Sequence, residues 1–509
     1  MAKKHEKIIK IFCVSLIFIF AFLLRIWNLN QMGRTWDENT YIEWGYRLVN
    51  LTGKGDFKSP SWYKNEATNG PPLALYFYGA ASKLDVGKFD SAGNPVFNYD
   101  FTHARIVSVL LSSLTAVLIT VLGWSYISSF VGIVSGAVFS LLPISLGYSQ
   151  LATLESFILF FFTATILSFL NYLSNHSKKN IILTGAFLGL ALLVKYTNFL
   201  LIPLMIWIFF IWHFKDKKQR IPLKNYVKTF LIIFAVAFLV VLFLWPMPWF
   251  HLKEVFAHNI GLRYSRYSIP EVFFGKLMLV PNIYYLVYFL ITTPLLILLF
   301  FLIGLLGINR QKSWILFSLV VWFVLPFAQS FYNFRQHGIR YIIEIYPPLA
   351  LICGIGIGYI SGKLRKTWLK ILFLAGTAFY LFFILYKISP YYLDYFNEVA
   401  GGTKNVYEKR LFQLGWWGQG VRQAANYVER NARLKSAVGI ALSPAQVMPS
   451  LPEMSVTIYD QRKEYDYVIV NLYNILREGF DDRMIKKNYK LAYQVKADGA
   501  TLVFVYKHL

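Results

Sequence analysis

The chain has 509 residues, of which 56% are hydrophobic, 18% are aromatic and only 15% are charged, with a mean hydropathy of +0.47. Soluble domains average about 25% charged residues, so the composition excludes an ordinary soluble protein. The formal net charge of +25 does not indicate nucleic-acid binding. Residues 391–509 hold 16 Lys and Arg against 12 Asp and Glu, a net of +4, and the rest of the excess lies in the hydrophobic part.

Hydrophobic segments long enough to cross a hydrocarbon core of about 30 Å recur along the chain. The first follows a lysine-rich N-terminus and ends at Arg25-Ile26-Trp27, without the small-residue cleavage site of a signal peptide. We therefore interpret it as a retained span. In all, we predict eleven membrane-spanning helices, at about residues 8–28, 103–124, 129–149, 152–173, 180–196, 198–213, 228–246, 283–307, 313–332, 341–360 and 368–388.

The basic residues between the spans predict the orientation. With the N-terminus in the cytoplasm, each cytoplasmic loop is rich in Lys and Arg, as the positive-inside rule requires. These clusters lie at residues 178–179, 215–228, 310–312 and 363–370. The protein is thus predicted to lie in the plasma or inner membrane with an extracytoplasmic C-terminus. The opposite face then receives the loop at about 29–102, the turn before Glu155, the loop at about 247–282 and the tail.

The tail differs in pattern from the spans. Gln419 to Asn431 has helical spacing, residues 436–442 and 467–470 alternate like strands, and 491–506 resemble a hairpin around Asp498-Gly499. We predict two domains, a transmembrane catalytic domain over 1–388 and a small extracytoplasmic α/β domain over 389–509. The sequence has no internal repeat, which an inverted-repeat transporter would carry.

Three carboxylates fall on the predicted exterior face. Asp37 and Glu38 follow the first span, and Glu155 opens the fourth, in a chain with only 26 acidic residues. Ordinary interfacial capping would explain one such site but not the convergence of all three. We interpret the carboxylates as candidates for an active site at the membrane surface.

The same face carries candidate phosphate-binding cations. A carboxylate base beside phosphate-binding cations suits transfer of a group from a phosphate leaving group to a hydroxyl. Snorkelling to lipid headgroups is the competing interpretation for cations at span ends. No metal-binding motif and no P-loop is present, so the sequence does not support a metal cofactor or ATP-driven transport. The candidate cations are Lys64, Lys195, Arg263, Arg266, Arg335, His337 and Arg340.

In these residues the chain resembles the GT-C superfamily of integral-membrane glycosyltransferases, in particular the branch of protein O-mannosyltransferases and the aminoarabinose lipid A transferase. The order of the motifs along the chain makes the set specific. They are Asp37-Glu38 with Tyr41, Pro71-Pro72-Leu73, Ala104-Arg105, Glu155, Gly189-Leu190-Ala191 with Lys195, and Arg340-Tyr341 through Tyr346-Pro347-Pro348.

The resemblance implies an inverting transfer from a polyprenyl-phosphate-linked sugar to a hydroxyl on a protein, lipid or glycan. It implies that Asp37 is the general base, that Glu38 positions the acceptor and that Glu155 supports the acceptor or donor sugar. The implied ligands of the donor phosphate are Lys195 and Arg340, with His337 and Lys64 as further candidates. Two positions depart from the family pattern: Asn69-Gly70 precedes the Pro-Pro pair where His or Lys is usual, and Glu155 stands where Asp is frequent.

Two other functions remain open from the sequence. A lipid-linked saccharide transporter, or flippase, would use the same cations but would not need Asp37 as a base. A non-catalytic membrane protein that binds cell-envelope glycan through its tail would need neither. For the tail itself we predict an acceptor-recognition module or a structural cap over the site. Trp416-Trp417 and the tyrosine-rich segment 391–395 would suit sugar stacking there, or anchoring at the membrane interface.

Overall fold

The computed structural model describes residues 2–63, 70–215, 222–255, 257, 270–311, 314–331, 338–441, 447, 451, 453–477 and 479–509. Within these ranges seven single helices are long and apolar enough to cross a membrane, and two bent helix pairs raise the number to nine. The multi-span helical class is therefore confirmed, while the number of eleven spans stays a prediction. The single helices are His5–Ile26, Thr102–Tyr126, Glu155–Asn175, Tyr196–Lys215, Lys224–Leu244, Arg340–Lys363 and Thr367–Ile388.

The bent pairs have proline at the break. Ser129–Leu141 meets Pro143–Ser149 at 65°, and Tyr284–Thr292 meets Leu295–Gly307 at 110°. Proline lacks the N–H that would continue the first helix, but its fixed φ suits the start of the second. Pro143 is the first residue of its helix, and Pro294 accepts the first hydrogen bonds of the helix that follows it. Two shorter helices, Lys178–Leu192 and Trp314–Ser330, overlap the remaining predicted spans.

Two helices of the loop after the first span cross at close range. Trp36–Gly53 packs against Leu73–Ser82 through Gly45 and Gly79. A Cβ atom added at Gly79 would lie 2.1 Å from the carbonyl oxygen of Gly45, so the crossing requires glycine. The backbone N–H of Leu73 also donates to Leu193 O at 2.9 Å. This hydrogen bond joins the second helix to the end of a membrane helix. The loop continues into a short hairpin, β1 Val86–Phe89 and β2 Pro95–Phe97.

The tail forms a five-stranded mixed sheet, which confirms the small α/β domain. Its strands are β5 Ala437–Ala441, β6 Ser455–Ile458, β7 Tyr467–Asn471, β8 Tyr489–Ala497 and β9 Ala500–His508. β6, β5 and β7 are parallel, and the hairpin β8–β9 is antiparallel to β7. The helix Val421–Asn431 packs on the sheet and buries its apolar side, as its spacing predicted. Across the sheet the strands lie in the order β6-β5-β7-β9-β8.

Shorter elements link the sheet to the membrane helices. In the loop before Tyr284, β3 Glu271–Phe273 pairs with β4 Lys276–Met278, and Phe273 forms a bridge with Phe412 of the tail. The side chain of Asn397 donates to the carbonyls of Leu290 and Thr293 at 2.7 and 2.6 Å. These contacts seat the tail on the break of a bent helix pair. The remaining short helices are Met247–Phe250, Gly402–Glu408, Leu472–Arg477 and Arg483–Asn488.

A buried carboxyl group lies at the junction of membrane part and tail. Asp394 is 1% exposed, and its Oδ1 accepts a hydrogen bond from the Gly415 N–H at 2.7 Å. Burial raises the pKa of Asp394 from 3.8 to about 7, against the smaller opposite effect of that hydrogen bond. Between pH 3.8 and about pH 7, the folded protein therefore keeps a proton on Asp394 that the unfolded chain has lost.

We expect Gly79→Ala to destabilise the protein, because the crossing of the two loop helices leaves no room for a methyl group. Overpacking of this kind costs about 1–3 kcal/mol. Thermal unfolding of the detergent-solubilised chain measures the effect. Gly53→Ala is the matched control, since a Cβ atom at Gly53, at the end of the partner helix Trp36–Gly53, meets no atom within 4 Å. Equal melting temperatures for the two variants would show that the crossing is not tight.

The raised pKa of Asp394 predicts a pH-dependent cost. As pH rises from 3.8 to about 7, the unfolded chain loses this proton and the folded chain keeps it, so folding stability declines over that interval. We expect Asp394→Asn to remove this decline, so that the variant gains in melting temperature over the wild type between pH 5 and pH 8. Glu429→Gln, on an exposed face of the tail, is the control. A difference that does not change with pH would contradict the assignment.

Candidate active site

One guanidinium group joins two of the three carboxylates. Arg340 opens the short 3-10 helix Arg340–Ile345 at the start of a membrane helix, and its side chain is 6% exposed. Its Nη1 lies 2.6 Å from Asp37 Oδ2, and its Nε donates to Glu155 Oε1 at 2.5 Å. Residues 185 positions apart, Glu155 and Arg340, thus meet beside the helix that follows the first span. The structure brings Asp37 and Glu155 together through this shared cation.

The two carboxylates differ in access. The Asp37 side chain is 35% exposed, whereas that of Glu155 is fully buried. Asp37 lies in the first turn of Trp36–Gly53, and Glu155 begins its membrane helix. A carboxylate near the N-terminus of a helix is favoured by the backbone dipole in both cases. Only Asp37 of the pair is open to a group that approaches from outside.

Glu38 is held in a separate, buried ion pair. Its oxygens take two hydrogen bonds from Arg105, both at 2.7 Å, and neither side chain is exposed. Glu38 also accepts from the backbone N–H groups of Thr35 and Ala152 at 3.0 Å. Burial alone would raise the pKa of Glu38, but the charge and hydrogen bonds of Arg105 outweigh it and lower the pKa. Glu38 therefore ties three parts of the chain together as a charged group.

This ion pair has a direct consequence for the geometry. Arg105 also donates to the carbonyl of Leu29 at 3.1 Å and to that of Gly33 at 2.5 Å, so it fixes the turn between the first span and the loop helix. Glu38 fixes the other end of that turn through the capping box with Thr35. The position of Asp37, the neighbour of Glu38, is consequently set by a buried network.

Aromatic rings surround the cations. Lys195 Nζ lies 4.2 Å from the ring centroid of Tyr341, and the Arg340 guanidinium lies 4.7 Å from that of Trp417. Trp417 is 1% exposed and packs edge-on against Tyr148 at 5.8 Å. Burial raises the pKa of Tyr41, beside Arg340 and Asp37, above its ordinary value, so Tyr41 stays neutral. The tail thus contributes Trp417 as part of the wall of the site.

A tyrosine cluster fixes the segment before Arg340. Tyr284 and Tyr288 both donate to Glu271 Oε1, at 2.6 and 2.8 Å, and the hydroxyl oxygen of Tyr284 accepts from the Gly338 N–H at 2.8 Å. Gly338 has a φ of +64°, which glycine adopts without strain. The loop before Tyr284 and a bent helix pair therefore hold the backbone two residues before Arg340.

The remaining candidate cations are outside the described residues. The predicted phosphate ligands His337 and Lys64 both fall there, as do Arg263, Arg266 and Arg335. Across the described part of the chain, no group of three or more His, Cys, Asp or Glu side chains is arranged to hold a metal ion.

Sequence reasoning missed the partners of the site carboxylates. Arg105 belongs to one of the sequence motifs, but the sequence does not predict its pairing with Glu38. It does not predict the stacking of Trp417 on Arg340 either. A signal for the first is present in the sequence: an arginine in the first turn of a 25-residue membrane helix needs a nearby anion when it is buried. The stacking of Trp417 has no signal in the sequence.

Comparisons with known proteins agree with this architecture. A family model described as dolichyl-phosphate-mannose-protein mannosyltransferase matches residues 15–260. No curated protein matches the sequence at a significant level. The fold is similar to that of ArnT from Cupriavidus metallidurans bound to undecaprenyl phosphate, at 12% identity and a TM-score of 0.52 over 97% of each chain.

A second solved structure has the same fold. It is the archaeal oligosaccharyltransferase AglB from Archaeoglobus fulgidus in complex with an inhibitory peptide and a dolichol-phosphate. The TM-score is 0.53 at 12% identity, over 99% of this chain and 74% of that one. At such identities the two matches establish the fold of the membrane part together with the tail.

We expect Arg105→Met to be strongly destabilising, because it leaves the Glu38 carboxylate buried without its cation. Removing one partner of a buried ion pair costs about 3–5 kcal/mol. Thermal unfolding of Arg105→Met, Glu38→Gln and the double variant measures the coupling. The double variant should be more stable than the sum of the single effects predicts. The exposed pair Asp481 and Arg483 is the control, where Arg483→Met should change little. Additive effects for Glu38 and Arg105 would contradict the buried pairing.

Proposed function

We propose that this chain is an integral-membrane glycosyltransferase of the GT-C superfamily, which moves a sugar from a polyprenyl-phosphate-linked donor to a hydroxyl acceptor. The observation that carries the proposal is the cluster at Arg340, where an accessible and a buried carboxylate share one guanidinium. Lys195 and Tyr341 lie beside it. A base and a phosphate-binding cation are the two parts that this reaction needs.

Asp37 acts as the general base. It takes the proton of the acceptor hydroxyl while the oxygen attacks the anomeric carbon from the face opposite the phosphate. The bond between that carbon and the phosphate oxygen breaks, and its electron pair leaves with the polyprenyl phosphate. One attack of this kind inverts the anomeric configuration. The 35% exposure of the Asp37 side chain supports this role, because an acceptor can reach it.

Arg340 binds the phosphate of the donor. Its guanidinium presents a planar set of donors that matches phosphate oxygens as well as carboxylates. The phosphate therefore competes with Asp37 for Arg340, and donor binding frees the Asp37 carboxylate to accept a proton. Lys195 provides the second positive charge as the leaving group forms. His337 and Lys64 remain proposed as further phosphate ligands.

The other two carboxylates have supporting roles. Glu155 keeps Arg340 in place when the phosphate displaces Asp37, since it bonds a different nitrogen of the guanidinium. It also remains a candidate contact for the acceptor or donor sugar. Glu38, with both oxygens engaged by Arg105, positions the acceptor indirectly by fixing the backbone of Asp37.

The reaction takes place at the exterior face of the plasma or inner membrane, with the N-terminus in the cytoplasm. The basic loops support this orientation. Nucleotide sugars are cytoplasmic, so an exterior site requires a lipid-linked donor. The membrane part, 1–388, carries the reaction and the tail, 389–509, covers it. The acceptor is a hydroxyl of a protein, a lipid or a glycan.

We expect Asp37→Asn to lower the transfer rate by about 10²–10⁴, the contribution of a positioned base. Transfer of radiolabelled sugar from a polyprenyl-phosphate-linked donor to cell-envelope acceptors measures the rate. Glu43→Gln is the matched control, since Glu43 is an exposed carboxylate on the same helix.

Donor binding by the Asp37→Asn variant separates the enzyme from a lipid-linked saccharide transporter. Binding of polyprenyl phosphate to the purified variant should be at least as tight as to the wild type, because its competitor for Arg340 is gone. A variant that transfers sugar at the wild-type rate would refute the assignment of Asp37 as base.

A further inference from the structure

The outer face of the β8–β9 hairpin carries an open groove with a volume of about 400 Å³. This size lies within the range of about 300–1,000 Å³ that small-molecule sites occupy. We call it the β8–β9 groove. The residues that line it include Tyr407, Arg410, Asp482, Lys486, Phe504 and Tyr506.

Aromatic rings form one surface of the β8–β9 groove. Leu491 and Tyr506 are direct cross-strand partners, so their side chains lie on the same face of the sheet. Phe504 and Tyr506 are two positions apart on β9, and their rings stack at 6.2 Å. Tyr407 faces them from the helix Gly402–Glu408. The partly exposed rings of Tyr407 and Phe504 thus offer flat apolar surface of the kind that stacks on ring-shaped ligands, and the buried ring of Tyr506 supports Phe504.

Charged side chains form the rest of the lining, and their charges cancel. Glu408 and Asp482 are acidic, and Arg410 and Lys486 are basic. Lys486 pairs with Asp482 at 2.6 Å. A groove without net charge does not select an anion or a cation. It offers donors and acceptors of hydrogen bonds to a neutral ligand instead.

These two properties together favour a saccharide. A sugar ring has C–H faces that pack on aromatic rings and a rim of hydroxyls that hydrogen-bond to carboxylates and amino groups. A phospholipid headgroup or a charged peptide would need an excess of one charge, which the lining lacks. The sequence suggested Trp416-Trp417 for sugar stacking, but both rings are buried, at 9% and 1% exposure. In the β8–β9 groove the rings of Tyr407 and Phe504 are partly exposed, whereas Tyr506 is buried beneath them, at 3% exposure.

The walls of the groove continue to the candidate active site. Leu472 lines the groove, and the next residue, Tyr473, packs on Trp36 with ring centroids 4.8 Å apart. Trp36 directly precedes Asp37. On the other side, the chain after Arg410 leads to Phe412, which pairs with Phe273 of the exterior loop. A ligand in the groove therefore contacts elements that adjoin Asp37.

We propose that the β8–β9 groove binds an uncharged saccharide unit of the acceptor and so selects acceptors that already carry sugar. This inference rests on the proposed transferase function. The tail is then a recognition module for acceptors, and the reacting hydroxyl lies at a distance from the bound unit.

Direct binding tests the site without the reaction. The full chain in lipid nanodiscs is titrated with neutral disaccharides (maltose, cellobiose, mannobiose and chitobiose) by saturation-transfer-difference NMR. We expect at least one to bind, and Tyr407→Ala and Lys486→Ala to weaken it about fivefold to tenfold, as the loss of one stacking or hydrogen-bonding partner does. Arg462→Ala, an exposed arginine of the same domain outside the groove, is the control. Thermal unfolding confirms that each variant folds.

The same variants then separate this inference from the proposed function. Asp37→Asn should bind the disaccharide as the wild type does, so saccharide binding does not depend on catalysis. In transfer assays the groove variants should raise the KM for a glycosylated acceptor with kcat unchanged. Absence of disaccharide binding, or equal binding by wild type and groove variants, would overturn the site. Loss of binding with an unchanged KM would overturn its role in acceptor selection.

Discussion

The site depends on the way one buried guanidinium is neutralised. Arg340 has its charge balanced by Asp37 in the loop after the first span and by Glu155 at the start of a membrane helix. A cation removed from water at the edge of a bilayer needs such partners, because an unpaired buried charge is strongly unfavourable. The two partners differ in solvent access, since Asp37 is accessible and Glu155 is not. This inequality makes Arg340 suited to exchange a carboxylate for the phosphate of a donor while it remains bound to the protein.

A second buried ion pair provides the rigidity that the proposed exchange requires. The pairing of Glu38 with Arg105 fixes the turn after the first span and, through Ala152, the approach to Glu155. The same network thereby fixes the backbone near both carboxylates that contact Arg340. Catalytic geometry of this kind tolerates little displacement, and a buried network with satisfied hydrogen bonds limits it. The adjacent residues Asp37 and Glu38 therefore differ in role: Asp37 is accessible, whereas Glu38 is buried and holds the backbone in place.

Hydropathy alone predicted the membrane helices and the change of pattern at the tail, because long apolar segments and short alternating strands leave clear periodic signals. It did not reveal β6, an edge strand whose residues are mostly exposed, or the bent helix pairs. For the site, the sequence indicated Asp37, Glu155 and Arg340 as candidates but did not indicate how their side chains pair. Arg340 and Glu155 lie 185 positions apart, and the stacking of Trp417 on Arg340 joins the tail to the membrane part. Such contacts depend on the packing of the whole chain and have no local pattern.

In the proposed mechanism, Arg340 exchanges Asp37 for the donor phosphate. A cryo-EM structure of the chain with bound polyprenyl phosphate, at a resolution that separates side chains, tests it most directly. We expect a phosphate within hydrogen-bonding distance of Arg340 and Lys195, with Glu155 still paired and Asp37 released from Arg340. A phosphate bound elsewhere, with the pair of Arg340 and Asp37 intact, would contradict it.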